Sequence, residues 1–171
     1  MFKTLFSLTD RIKKNYSIFQ NIIHLRKIKP KFLFYSENKN YQMFSYLLIE
    51  ALVKKYPKEV YYVSSNTDDK IKNLDVKNIF IGKGFLMNVF FLTIRAQNLF
   101  LTLTDLDNHA VKKTKNVDKY IYYFHGAVST TKVYTATAFD NYDIIFCNGG
   151  YHLDEIRKRE SIKKIKKSFK K

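Results

Sequence analysis

One cysteine, two prolines and five glycines are spread over 171 residues, and only 15 acidic side chains face 31 Lys and Arg. The lone Cys147 excludes a disulfide scaffold and leaves no thiolate cluster for zinc, so an intracellular address is the natural expectation. No secretory signal is expected. The apolar stretch between Lys3 and Asp10 is too short for an h-region and lacks a small-residue cleavage site. No apolar run reaches the roughly 20 residues that span a bilayer. The most hydrophobic window, Phe85 to Ile94, is bracketed by Lys83 and Arg95 and reads as a buried helix. No GxGxxG follows the first strand and no GxxxxGK[ST] occurs anywhere, which argues against a stand-alone dinucleotide or NTP enzyme.

What is present is apolar bulk and positive charge. Hydrophobic residues make up 46%, with 15 Phe and 13 Tyr, enough to exclude disorder and to fill the core of a single domain. A formal charge of +16 seeks polyanions: nucleic acid, anionic lipid or a phosphate-rich substrate. Charge alone does not choose among them, and a Lys-rich, Phe/Tyr-rich, Ala-poor composition also follows from an AT-rich genome. Nucleic acid is disfavoured as a partner because the aromatic residues fall within predicted strands and helix faces, where they serve as core and not as a stacking platform.

Residues 1–30 form a basic amphipathic helical arm. Leu5, Leu8, Ile12, Tyr16, Phe19 and Ile23 recur at spacings of three and four, and Pro30 closes the segment. Such a helix either packs on its own domain or rests on anionic lipid. From Lys31 the pattern alternates. Strands are predicted at 31–36, 59–65, 78–82, 99–104, 120–125 and 143–149. Helices are predicted from about Met43 to Tyr56, with Phe44, Leu47, Leu48, Ala51 and Leu52 on one stripe, over 84–97, and through HLDEIRKRESI. Residues 105–118 read as a polar, exposed loop. Apolar strands alternating with helices imply an α/β fold, a Rossmann-like doubly wound parallel sheet over 31–162, followed by a basic tail at 163–171.

All five glycines follow a predicted strand: Gly82 and Gly84, Gly126, Gly149 and Gly150. In an open parallel sheet ligands bind beyond the strands' carboxyl ends, so that edge is the expected working face. His125 is the only histidine at such an end; His24 lies in the arm, His109 in the polar loop and His152 at the last helix. A strand-end histidine is either a hydrogen-bonded structural residue or a base. Gly126 and then Ser129, Thr130 and Thr131 opening a helix favour a base beside an anion-friendly helix start. The imidazole is then expected to emerge into an open crevice. Ser36, Glu37, Asn38, Asn40 and Tyr41 form the first strand-to-helix loop, placed to touch a polar substrate. Asp105 and Asp107 read as loop acids, and Asp140 and Asp143 as caps; neither pair specifies a metal, and no cofactor is implied.

KFLFYSENKNYQMFSYLLIEALVKKYPKEVYYVSS, LTLTDLDN and YIYYFHGAVSTTKVYTATAFDNYDIIFCNGGYHLDEIRKRE together resemble the N-terminal half of the CDP-glycerol glycerophosphotransferase (teichoic-acid-polymerase-like) family, from about residue 31 to 161. The block 119–160 carries the most specific part of that likeness. The resemblance implies a GT-B architecture of two Rossmann-like domains, with this chain as the N-terminal, acceptor-side one. It implies transfer of glycerol phosphate from CDP-glycerol, or a related nucleotide-activated donor, to a hydroxyl of a polyol-phosphate, glycan or lipid-linked acceptor, with release of CMP. His125 maps onto the family's His-Gly motif as the base, and Gly126, Ser129, Thr130, Ser36, Asn38, Asn40, Tyr41, Gly149 and Gly150 become candidate substrate contacts. The resemblance also implies a peripheral protein at the inner face of the cell membrane. In the family the donor is gripped mainly by a C-terminal domain absent here, so no transfer is expected in isolation, and a C-terminal partner domain would complete the cleft. The alternative is a non-catalytic basic module that binds anionic membrane or polymer.

Overall fold

The structure is a computed structural model describing residues 2–108 and 111–163, with the side chains of its first helix described at Asp10 and from Ile12 onward. The elements run α1 (Phe2–Ile28), β1 (Phe32–Ser36), a 3-10 turn (Lys39–Tyr41), α2 (Gln42–Lys55), β2 (Val60–Ser64), β3 (Lys77–Phe80), α3 (Phe85–Thr93), β4 (Ala96–Leu101), β5 (Val117–Tyr123), α4 (Thr130–Val133), β6 (Ile144–Phe146) and α5 (Gly150–Lys163). The six strands form one sheet in the order β3-β2-β1-β4-β5-β6, every neighbouring pair parallel. The protein therefore has a parallel β-sheet with flanking helices.

Side chains alternate across a strand, and here both sets are apolar. Leu33, Tyr35, Tyr61, Val63, Leu99, Leu101, Tyr120 and Tyr122 enter the core beneath α1, α3 and α5. Phe34, Val60, Tyr62, Phe100, Ile121 and Tyr123 enter the opposite core with Ile49 of α2. There Phe34 and Phe100 stack at 4.2 Å, consistent with their pairing in register. Strands β4 and β5 begin three residues earlier than their apolar runs suggest. Parallel partners extend the ladder over polar positions such as Asn98 opposite Lys119, and the Asn98 amide donates to the Lys31 carbonyl at 3.0 Å.

The helices exist where periodicity places them, but they turn other faces inward. On α1 the core takes Ile18, Ile22 and Leu25, while Ile12, Tyr16 and Phe19 of the predicted stripe are exposed. At about 100° per residue the two sets lie roughly a third of a turn apart. Leu5 and Leu8 fall outside the described side chains. On α2 the buried residues are Ser45 and Ile49, whereas Phe44, Leu47 and Ala51 of the expected stripe are exposed. The Phe85–Ile94 window is buried only in part: Phe90, Phe91 and Ile94 enter the core, but Phe85 and Leu92 face outward. A helix crossing one face of a sheet buries one side, whatever the composition of the other. The 105–118 loop likewise inserts Leu106 and Val111 into the core, so it is not wholly exposed; His109 lies outside the described residues. Among the described residues no helix is long and apolar enough to cross a membrane.

This packing makes the carboxyl-terminal half of α1 integral to the fold. Leu25→Ala should lower unfolding stability by about 2–5 kcal/mol, and Ile12→Ala by no more than about 0.5 kcal/mol. Urea denaturation of both variants checks this; equal small losses would mean that α1 does not dock.

Candidate functional site

Because every strand runs the same way, all strand exits open on one edge, and all five glycines lie there. The connections diverge at the β1/β4 boundary, the position where open α/β sheets form a crevice. Gly82 is required by local geometry. Its φ is +73°, and a Cβ would meet Ile18 Cδ1 of α1 at 3.1 Å, so only glycine lets the arm pack this close to the β3–α3 turn. Gly126 is different. Its φ lies outside the left-handed region, and a Cβ would meet nothing nearer than Val128 Cγ1 at 4.0 Å. The fold does not demand glycine at 126, and its absent side chain leaves room beside His125.

His125 follows β5 by two residues, and alternation carries it to the same face as Ile121 and Tyr123, the face covered by α2. Its ring is met edge-on by Tyr41 at 4.9 Å and by Phe44 at 6.3 Å. The first loop and His125 thus come together, as a 3-10 turn brings Tyr41 over the end of β5. Burial pushes the His125 pKa below the ordinary histidine value, and its Nδ1 is buried with no hydrogen-bonding partner among the described residues. A half-buried imidazole of this kind is neutral at pH 7. Clefts of about 410 and 230 Å³ lie on this edge, but His125 lines neither.

The remaining first-loop residues build the loop itself. Buried Ser36 donates to the Asn38 carbonyl at 2.8 Å, and the Asn38 carboxamide accepts from the Asn40 N–H at 2.9 Å, capping the 3-10 turn. Asn40 is exposed. Asp69 was not singled out from the sequence, because nothing in the run TDDK distinguishes it from the acid beside it. It is buried, and its carboxylate accepts from Gln42 Nε2 at 2.9 Å, Tyr62 OH at 2.9 Å and Ser64 Oγ at 2.7 Å. That network fixes the start of α2, and with it Tyr41 and Phe44 against His125.

The segment after His125 is held by one face of α5. His152 is fully buried, stacked on Phe124 at 4.0 Å, and its Nε2–H donates to the Val128 carbonyl at 2.7 Å. Three residues on, Glu155 accepts from the Thr130 N–H at 2.5 Å, Thr130 Oγ1 at 2.6 Å and Ser129 Oγ at 2.8 Å. Four residues further, Arg159 donates to the carbonyls of Thr130, Tyr134 at 3.1 Å and Thr135 at 2.8 Å. A carboxylate at the amino end of α4 and a guanidinium at its carboxyl end both oppose its backbone dipole. The donors of Ser129 and Thr130 are therefore already taken by an internal anion, which repels a second one. His152, Glu155 and Arg159 were missed as a set, although their spacing of three and four marks one helical face.

Set against known proteins, the chain matches no family model, no curated protein and no solved structure.

The other acids are structural. Asp105 accepts from Thr135 Oγ1 at 2.8 Å and Thr137 Oγ1 at 3.1 Å, and Asp107 from the Lys113 N–H at 3.1 Å. Asp140 pairs with Lys163 at 2.6 Å, and Asp143 accepts from the Tyr120 N–H at 2.7 Å. Among the described residues no group of three or more His, Cys, Asp and Glu could hold a metal ion. Gly126 accepts from Asn148 Nδ2 at 3.2 Å, Gly149 packs beside the Tyr151 ring, and Gly150 opens α5.

Hydrogen bonds to its charged form hold the Glu155 carboxyl down at about 2. A depressed acid stabilises the fold above its unfolded pKa near 4.3, and that contribution is lost as pH falls from about 5 towards 2. Unfolding midpoints measured across this range should drop more steeply for the wild type than for Glu155→Gln. Parallel curves would remove Glu155 from the acid response.

Proposed function

We propose that this chain is the acceptor-side domain of a CDP-glycerol glycerophosphotransferase-like enzyme, a Rossmann-like, GT-B type domain with His125 as its general base. One observation carries the reading: a half-buried imidazole, whose protonated form burial disfavours, stands at the carboxyl edge of the parallel sheet, against Tyr41 of the first loop and beside a glycine that the fold does not require. The strand order β3-β2-β1-β4-β5-β6 is that of the doubly wound dinucleotide-type sheet, which supports the same reading.

In the proposed reaction His125 takes the proton of the acceptor hydroxyl as its oxygen forms a bond to the phosphorus of the glycerol phosphate. The bond from that phosphorus to the CMP oxygen breaks, and CMP leaves with the electron pair. The transition state is loose, so positioning supplies most of the rate, and the base adds about 10²–10⁴-fold. Tyr41 and Phe44 orient the ring and desolvate it. Donor contacts come from a second domain, and Ser129 and Thr130 are not assigned to phosphate because Glu155 holds them. With such a domain and CDP-glycerol supplied, His125→Ala should lower CMP release about 10²-fold or more. The acid limb of the wild-type pH profile should fall below the ordinary histidine value of about 6.5, since burial disfavours the protonated ring. Unchanged turnover in the variant removes His125 from the mechanism.

A second reading, a module that binds anionic membrane, is favoured by α1. Its outward stripe of Ile12, Tyr16 and Phe19 is flanked by Lys13, with exposed Arg26 and Lys27 further along the helix. Because the same helix carries Ile18, Ile22 and Leu25 into the core, removing it would unfold the domain, and point substitution is the proper test. Ile12→Ser with Phe19→Ser should reduce flotation with phosphatidylglycerol vesicles several-fold at unchanged thermal stability. Flotation indifferent to both the substitutions and lipid charge would overturn this reading.

A further inference from the structure

We propose that the cleft between α1 and the carboxyl ends of β2 and β3 is a binding site for a phosphate ester on a small polar body, separate from the His125 site. The cleft has a volume of about 410 Å³, within the range of small-molecule sites and larger than a bare phosphate needs. Its polar wall is formed by Lys14, Asn15, Ser65, Asn66, Thr67 and Lys83. No acidic side chain lines it.

Two cations from distant parts of the chain meet here, Lys14 from α1 and Lys83 from the turn before α3. Neither closes an ion pair with a described carboxylate. Lys14 Nζ instead lies over the Phe80 ring, 5.4 Å from its centroid. Glu37 is near enough to feel the Lys83 charge and burial raises its carboxyl above the ordinary value, but the two close no described ion pair. Among the described hydrogen bonds, the Asn66 carboxamide oxygen accepts from the Asp68 N–H at 3.1 Å, which leaves its NH2 group free to donate. The side chains of Asn15 and Thr67 have no described hydrogen bond. Ser65 is held in place by the buried Tyr35 hydroxyl at 2.9 Å. The first turn of α3 has no acidic residue, and its Leu86 lines the same wall, so the positive end of that helix adds to the field.

Two point-like ammonium groups with amide and hydroxyl donors around them match a phosphate's several acceptor oxygens and double charge. The site is built by tertiary packing: Gly82 lets Ile18 approach, and this seats Lys14 opposite Lys83. Strands β2 and β5 stand three positions apart in the sheet, about 14 Å, so a ligand here does not touch His125. The ester could be free, polymer-borne or a lipid headgroup, and the recognising chemistry is the same.

The test is amide-resolved NMR of the full chain titrated with sn-glycerol 3-phosphate and, as the uncharged control, glycerol. Saturable shifts at Asn15, Asn66, Thr67 and Lys83 are expected with the ester and not with glycerol. Lys14→Gln and Lys83→Gln, both at exposed positions, should each weaken binding about tenfold, the loss of one charge-assisted contact. Lys132→Gln and His125→Ala should leave it unchanged. Adding nanodiscs identifies the source: competition by phosphatidylglycerol but not phosphatidylcholine assigns a headgroup, and no competition by either assigns a free or polymer-borne ester. Shifts scattered over the basic surface without saturation would overturn the proposal, as would equal affinity in the Lys14→Gln/Lys83→Gln double variant.

Discussion

The parallel pairing of β1 with β4, Phe32 opposite Asn98 and Phe34 opposite Phe100, is the constraint from which the rest of the molecule follows. It joins two half-sheets that wind in opposite directions, β1 through β3 on one side and β4 through β6 on the other. Parallel strands cannot be joined by tight turns, so each connection must leave the carboxyl edge, cross a face and return. The loops that bear glycine, histidine and hydroxyl residues are thereby gathered on one rim, and both faces must be covered. Two separate apolar clusters meet that second requirement.

The rim itself is divided by charge and by burial. Around β5 and β6 an internal set of partners fills the polar positions: Glu155 and Arg159 grip the short α4, and His152 supports the backbone behind His125. What remains available is the imidazole, walled by Tyr41 and Phe44 and kept neutral by desolvation. Around β2 and β3 the pattern differs: Lys14, Asn15, Thr67 and Lys83, whose side chains make no described hydrogen bond or ion pair, line an open cleft. A group already satisfied within the fold holds geometry, and one left unsatisfied at an accessible surface is free for a ligand. This distinction assigns scaffold and site more sharply than residue type does.

Charge repulsion gives the arrangement a further consequence. Among the described residues, apart from ion pairs such as Lys29 with Asp118 and Lys163 with Asp140, most lysines are exposed without a described counter-charge. Exposed pairs of this kind contribute little, so the net positive field is sustained at the surface and falls off over about 8–10 Å at physiological salt.

Much of this was legible in the residues. Continuous apolar runs such as YIYYFH and VYYVS predict strands apolar on both faces, hence a parallel sheet, and glycine after strand exits marks its carboxyl edge. Helix existence was legible too, since periodicity is a local property. Which side of α1 and α2 faces inward was not, because both helices are apolar on more than one side, and the choice falls to the partner they cross. The α5 grip on Ser129 and Thr130, the burial of Asp69 and the meeting of Tyr41 with His125 were equally hidden, each joining residues 7 to 84 positions apart. The sequence by itself determined the alternation of elements and the sign of the surface charge, because these depend on near neighbours and composition. Only the tertiary structure decided which polar groups are satisfied internally and which stand at the surface without a described partner, because that depends on long-range packing.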